Sequence, residues 1–346
     1  MRLTRQKAVT IKQALKEWEK DNILTSEERQ RLEEHLEIIP FDWKRLARYS
    51  FWIALACIII SVASILVDEE LIEWLLKIFD LSAALRALVS GAIAGFFYYK
   101  TYQRRKRFPE KTFSNEAWAF LGVLFTALSI SQIGIWLDTG SGHFSLLLLL
   151  AAVTYAFLGY RLASPLIWLF ALLSLGSWFG AETGYLSGWG AYYFGMNYPL
   201  RFVLFGTILT GATYLFRNTA SFRPLYSTTL KTGLFYLFMA LWILSIFGNY
   251  DMNSWQRVKQ IELAHWGLLF GLVAAGSIWH GLKCDNNITR SFGLTFLGIN
   301  LYTRFFEYFW DSVHKALFFP ILGLSFWLIG KRAERIWNWM KSDLDN

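Results

Sequence analysis

The sequence predicts an all-α integral membrane protein, a polytopic bundle of about ten transmembrane helices with N-terminus and C-terminus both cytoplasmic. Three observations carry that reading. Of 346 residues, 55% are hydrophobic, 18% aromatic and only 17% charged, too little charge to clothe a water-facing surface. Beyond a charged arm ending near residue 48, apolar runs follow one another, each close to the length that crosses a hydrocarbon core. Lys and Arg then divide unevenly between alternate connecting segments.

The ten runs are 49–67, 82–99, 116–137, 144–160, 165–181, 200–216, 231–248, 262–281, 291–306 and 316–330. The fourth and fifth are separated only by Arg161 to Ser164, close enough to be misread as one long helical hairpin. Threaded with the N-terminus inside, 27 of the 34 Lys and Arg fall in cytoplasmic segments and 5 in outer ones, with Arg86 and Arg304 near membrane depth. The basic loop of Lys100, Arg104, Arg105, Lys106, Arg107 and Lys111 makes the end of the second run inward, and Asp68, Glu69, Glu70 and Glu73 mark the outer side after the first. The formal charge of +8 is therefore a topology signal and not a nucleic-acid footprint.

Only 6 prolines and 2 cysteines exclude collagen-like, disordered and disulfide-stapled chains. Cys57 lies inside the first run and Cys284 in an inner loop, so they are not expected to pair. The first 48 residues are polar and show no short apolar core with a small-residue cleavage site, so the first run is expected to act as its own insertion signal.

Within the arm, residues 1–48, the spacing of Ile11, Leu15 and Trp18 predicts a helix that breaks at Asp21-Asn22. Thr25 and Glu28 form a capping box that starts a second helix toward Leu32 and Leu36. The hairpin over 10–40 is too small to hold a large core. It either orients the first run or docks a cytoplasmic protein partner.

In the bundle, residues 49–330, Ala83, Ala87, Gly91 and Gly95 recur every four residues, and Gly267, Gly271 and Ala275 repeat the device. Small residues let helix backbones approach where lipid supplies no hydrophobic drive, so both stripes are expected to face other helices. The alternative is a smooth face along which helices slide during transport. Residues 71–80 alternate Leu71, Ile72, Trp74, Leu75, Ile78 and Phe79 with charges, as in a helix lying in the outer interface. Tyr185, Trp189, Tyr192 and Tyr193 lie in a glycine-rich outer loop, as an anchoring belt or as a cap for sugars or lipid headgroups.

Charges at membrane depth are costly and normally paired. Arg304 and Glu307 share one helical face, followed by Trp310, Asp311 and His314. Glu262 and His265 enter the eighth run from the same side, and Arg86 the second. Together they are candidates for one outer polar layer, either a structural ion-pair network or a proton- or substrate-binding site. His265 and His280 are about 22 Å apart along a helix, too far to share a metal. The chain has no zinc-protease His pair, CxxC pair, phosphate-cradling glycine loop or serine elbow. No catalytic residue, cofactor or metal is assigned, and enzyme chemistry lacks positive support.

Near the C-terminal end, Arg304-Phe305-Phe306-Glu307-Tyr308-Phe309-Trp310-Asp311 precedes a run with Phe318, Phe319 and Gly323 and the basic string Lys331-Arg332-Ala333-Glu334-Arg335. Trp18, then Ile23 to Glu28 and a leucine-bearing helix, precede the first run. In these two ends the chain resembles bacterial predicted membrane proteins of the domain of unknown function 2157 family (DUF2157), although Lys20-Asp21-Asn22 stands where a glycine turn is expected. The resemblance implies a multi-pass protein of the bacterial inner membrane with a basic cytoplasmic tail, 331–346, and implies no activity. Two functional classes stay open. One is a permease-like or lipid/glycan-handling protein, with a small-molecule or lipid/glycan ligand in an outward-facing polar pocket. The other is a non-catalytic envelope scaffold or sensor whose hairpin binds a partner.

Overall fold

The computed structural model describes residues 2–21, 23–34, 37–39, 49–58, 60–61, 82–138, 140, 142–216, 219, 222–310 and the isolated positions 317, 319, 320, 323 and 324. The segment 71–80, Asp311, His314, most of the last run and the basic tail therefore lie outside the described residues. The chain divides into two compact units, one of Met1–Arg86 and Gly95–Gly122, the other of Ala87–Ala94 and Val123–Asn346.

In the first unit, β1 (Arg2–Thr4) pairs in parallel with β2 (Glu37–Ile39), bracketing α1 (Arg5–Lys20) and α2 (Ser26–Glu34). The ladder has no counterpart in the hydropathy pattern, which reported only the two helices. Thr25 N–H donates to Glu28 Oε2 at 2.9 Å and Glu28 N–H to Thr25 Oγ1 at 3.3 Å, so α2 begins in a capping box. The Thr25 amide, and next its hydroxyl, hold the Glu28 carboxyl below its ordinary pKa. A short apolar helix, α3 (Tyr49–Ile58), follows.

The long helices come next: α4 (Ala83–Arg107), α5 (Thr112–Trp136), α6 (Ser145–Arg161), α7 (Pro165–Leu186), α8 (Tyr198–Phe216), α9 (Arg223–Phe247), the single turn α10 (Met252–Trp255), α11 (Gln260–Lys283) and α12 (Asn287–Phe309). Four of them, α5, α7, α9 and α11, are long and apolar enough to cross a membrane. Each of the eight middle runs has a helix over it; α4 continues beyond its run into the basic sequence Lys100–Arg107, and α9 begins before its run with the more polar Arg223–Leu230. Apolarity reports the hydrocarbon boundary, whereas the backbone ladder continues until a breaker ends it, here Pro109 just beyond α4.

The second unit is built from antiparallel hairpins, α6 with α7, α8 with α9 and α11 with α12, with α9 touching α7, α11 and α12. Residues equidistant from each turn meet. In the last hairpin a Cβ on Gly267 would touch Arg304, one on Gly271 Asn300, one on Gly281 Arg290, and one on Gly293 Ile278. Ala163, with φ of 48°, turns the chain from α6 to α7, where Ser164 caps the next helix by accepting from Ile167 N–H at 3.3 Å. The core is Leu230, Leu234, Phe238 and Leu241 of α9 against Phe270 and Ala274 of α11 and Phe296 of α12, with Phe238 stacked on Phe296 at 4.9 Å.

Outward faces are as apolar as the core. Leu146, Leu150, Val153 and Phe157 form an exposed stripe on α6, as do Ile261, Leu268, Leu272 and Trp279 on α11. In water such surfaces would associate, whereas against lipid they are the solvated side.

The two glycine stripes are partly corrected. Ala87 is buried and its carbonyl accepts from Ser129 Oγ at 2.7 Å, and a Cβ on Gly91 would lie 3.2 Å from that oxygen. Gly95, however, has open space beside it, and Ala83 is only half-buried. On α11, Gly267 and Gly271 face α12, but Ala275 is exposed and Ala274 takes its place. The cause is rotational: each four-residue step turns about 40° beyond a full circle, so three steps leave the contact face. The observed contact line of Gly267, Gly271, Ala274, Ile278 and Gly281 alternates steps of four and three, which keeps it on one side.

Candidate functional site

Arg304 and Glu307 lie one turn apart on α12 and pair twice, Nη1 to Oε2 at 2.5 Å and Nη2 to Oε1 at 2.9 Å. Arg304 Nη2 also donates to the carbonyl of Ser245 on α9 at 2.9 Å, while the missing side chain of Gly267 makes room for the arginine stem. One turn below, Asn300 Nδ2 donates to the Gly267 carbonyl at 3.0 Å. The outside partner is thus a serine and backbone carbonyls. Glu262 and His265 stand exposed on the far side of α11 from Gly267 and form no hydrogen bond or ion pair with Arg304 or Glu307. Arg86 belongs to the other unit, and Asp311 is outside the described residues. An open groove of about 790 Å³ along α9 and α12 reaches Glu307; of the polar residues lining it, Thr303 is bonded to Trp242 and Glu307 to Arg304.

The aromatic loop after α7 is a braced structure. Arg201, 1% exposed, donates to the carbonyls of Met196 at 2.9 Å and Ala191 at 3.0 Å and to Thr183 Oγ1 at 3.3 Å, with its guanidinium over Tyr198 at 4.3 Å. Its charge is met by carbonyl dipoles and a ring face, with no carboxylate in reach among the described residues. Asn197 Nδ2 donates to the Gly248 carbonyl at 2.7 Å, Asn249 Nδ2 returns a bond to Gly195 at 2.8 Å, and Tyr192 OH reaches Asn249. Asp251, which caps α10 by accepting from Asn253 and Ser254, has its pKa lowered chiefly by the Ser254 amide. Tyr193 packs edge-on against Phe194, and Trp189, held at φ of 60°, stacks on Phe144 at 5.6 Å.

Beside this loop the α6–α7 hairpin assembles a cluster that the sequence analysis did not single out. Glu182 Oε2 accepts from Ser145 Oγ at 2.5 Å and lies 2.9 Å from His143 Nε2, and the imidazole stacks on Tyr185 at 4.0 Å. The available signal was the hairpin register: Ser145 and Glu182 are equidistant from the turn at Ala163-Ser164, and Glu182 is the one carboxylate of α7. The arrangement is not a nucleophilic relay. Both the hydroxyl and the imidazole engage the same carboxylate oxygen, so the imidazole is not placed to take the Ser145 proton. Among the described residues no three His, Cys, Asp or Glu converge as metal ligands.

Of this cluster only His143 lines a cleft of about 920 Å³ between α5, α6 and α7, entirely within the second unit, with Glu182 and Ser145 bonded behind it. Its wall is mostly apolar, with Val123, Ile130 and Ala151 buried along it, and Ser131 and Ser174 are its polar members. Tyr155 OH closes the inner end by donating to the Val123 carbonyl at 2.9 Å, and Leu147 packs onto Gly134 near the outer end. At the mouth stand Asp138, Gly142, His143 and Phe144. A second, smaller cavity of about 330 Å³ among α6 to α9 is almost wholly apolar, and its Trp168 Nε1 is satisfied by Thr229 Oγ1 at 2.7 Å. Comparison with family models, curated proteins and solved structures returns no match, so the site's chemistry is its own guide.

Proposed function

We propose that the protein is a multi-pass protein of the bacterial inner membrane that holds a lipid-like or glycan-bearing amphiphile in an outward-facing cleft between α5, α6 and α7. The observation that carries the reading is the cleft itself, mostly apolar along its wall and charged at one end, the form of site that orients a tail and recognises a head. The uneven distribution of Lys and Arg supports ten crossings with both termini inside, which turns the mouth outward. Resemblance to the DUF2157 family at the two chain ends supports the bacterial inner membrane. Reporter fusions after residues 110, 225 and 340 are expected to read cytoplasmic and those near 140, 190 and 255 external; the reverse pattern would discard this orientation.

The function is tested by irradiating the protein in lipid nanodiscs with a photoreactive alkyl probe and mapping the adducts. Label is expected on cleft residues such as Ala127, Ile130 and Ala151 above the level on the lipid-facing Leu268 and Leu272. Equal labelling would make the cleft ordinary lipid surface. A second reading, a docking module in the arm, draws support from Trp18, Ile23 and Leu32, which are exposed at 48%, 66% and 46%. Deleting residues 1–40 should leave cleft labelling unchanged if the two functions are separate.

A further inference from the structure

We propose that the occupant of the cleft carries an ammonium group on a hydrocarbon tail about one leaflet long. The inference rests on the amphiphile reading above and adds the chemistry of head and tail. Charge at the mouth points to the head. Asp138 is exposed and bonded only to the Gly140 amide, at 2.8 Å, with no cationic partner among the described residues. Glu182, behind the lining, is engaged by the His143 imidazole and the Ser145 hydroxyl, and no Lys or Arg is among the described residues that line the cleft. Whether His143 is protonated or neutral, the Glu182 carboxylate 2.9 Å behind it offsets its charge, and Asp138, the one carboxylate among the described lining residues, leaves the mouth negative. A cation is therefore favoured and a phosphate opposed in either state, most strongly where the adjoining hydrocarbon lowers the dielectric. The Phe144 ring at the mouth, backed by its stack on Trp189, adds a ring face that suits an ammonium group.

Cleft geometry points to the tail. Its apolar length runs from the Tyr155–Val123 contact to the Leu147–Gly134 contact. These are eleven residues apart on α5, about 16 Å at the helical rise, against about 15 Å for half of a hydrocarbon core. A tail entering from the outer surface thus fills the space without leaving its leaflet.

The test is competition with the photoreactive alkyl probe in nanodiscs, read as adduct at the cleft. Hexadecylamine is expected to displace the probe at about tenfold lower concentration than hexadecyl phosphate, a difference of about 1.4 kcal/mol. Asp138→Asn, at an exposed position that leaves folding intact, should shrink that ratio several-fold, and Asp138→Lys should reverse it. Lysophosphatidylethanolamine competing as well as hexadecylamine would identify a membrane aminolipid as the source of the ammonium, and failure of that lipid beside success of the amine would identify a free amphiphilic amine. Equal displacement by amine and phosphate, or a ratio unchanged in Asp138→Asn, would overturn the headgroup assignment while leaving the amphiphile reading standing. Displacement by neither would overturn both.

Discussion

Two polar clusters, one in each half of the second unit, are built from the same materials and do opposite things. Around Arg304 the helices α9, α11 and α12 close on the guanidinium, the outer groove reaching only its partner Glu307: the arginine fills the space that Gly267 leaves, and its carboxylate partner sits on its own helix. Around Glu182 the helices α6 and α7 bring a carboxylate, an imidazole and a hydroxyl together, and α5 stands away to leave a cleft. The difference lies in what faces the charge. Where a neighbour offers glycine and free carbonyls, the ion pair becomes packing; where it offers apolar side chains across a gap, the polar group becomes a mouth. A charge at membrane depth is thus informative about function only once the surface opposite is known.

The strongest way to break this comparison is Arg304→Ala. It leaves Glu307 16% exposed at its side chain without its cation and the Ser245 carbonyl without a donor. Orphaning one member of such a pair costs about 3 kcal/mol. Folded protein in the membrane is expected to fall several-fold, and adding Glu307→Ala should restore part of it by removing the stranded carboxylate. Wild-type abundance in the single variant would show that the pair is solvated after all. Glu182→Gln, which keeps a hydrogen-bonding head for Ser145 and His143, should leave abundance near wild type.

How much of this could be read from the sequence varies with the physical scale of the signal. Helix positions were legible because hydrophobic runs integrate over some twenty residues, and the Arg304–Glu307 pair because three residues along a helix bring side chains together. The polar layer with Glu262 and His265 was not legible, since sharing a membrane depth says nothing of rotation; on α11 it is Leu263, Gly267 and Phe270 that turn inward. The glycine stripe reached Gly91 and missed at Gly95 for the same reason. His143 and Glu182, 39 residues apart, meet only through the hairpin. Their meeting follows once the turn at Ala163 is taken as a centre of symmetry, because an antiparallel helix pair fixes every partner by its distance from the turn.

That register rule yields the smaller effects, in a matched pair of enlargements. Gly293→Leu places a side chain where even a Cβ would lie 2.8 Å from the Ala274 carbonyl and from Ile278, so α11 and α12 must separate. Overpacking of this kind costs about 1–3 kcal/mol, read as a lowered unfolding midpoint in detergent titration. Ala127→Leu ends in the same side chain, with one carbon less added, on an exposed residue of the cleft wall, where there is space to receive it. Its effect on stability is expected to stay within about 0.5 kcal/mol, as for substitutions that disturb no packing. Alkyl labelling of the cleft should nevertheless fall, because the added side chain takes up volume the tail would use. The two readouts must therefore separate: stability changes in the closed half, occupancy in the open one. If Ala127→Leu destabilised the protein as much as Gly293→Leu, the space between α5 and α6 would be closed in the membrane, and the contrast between the two halves would vanish with it.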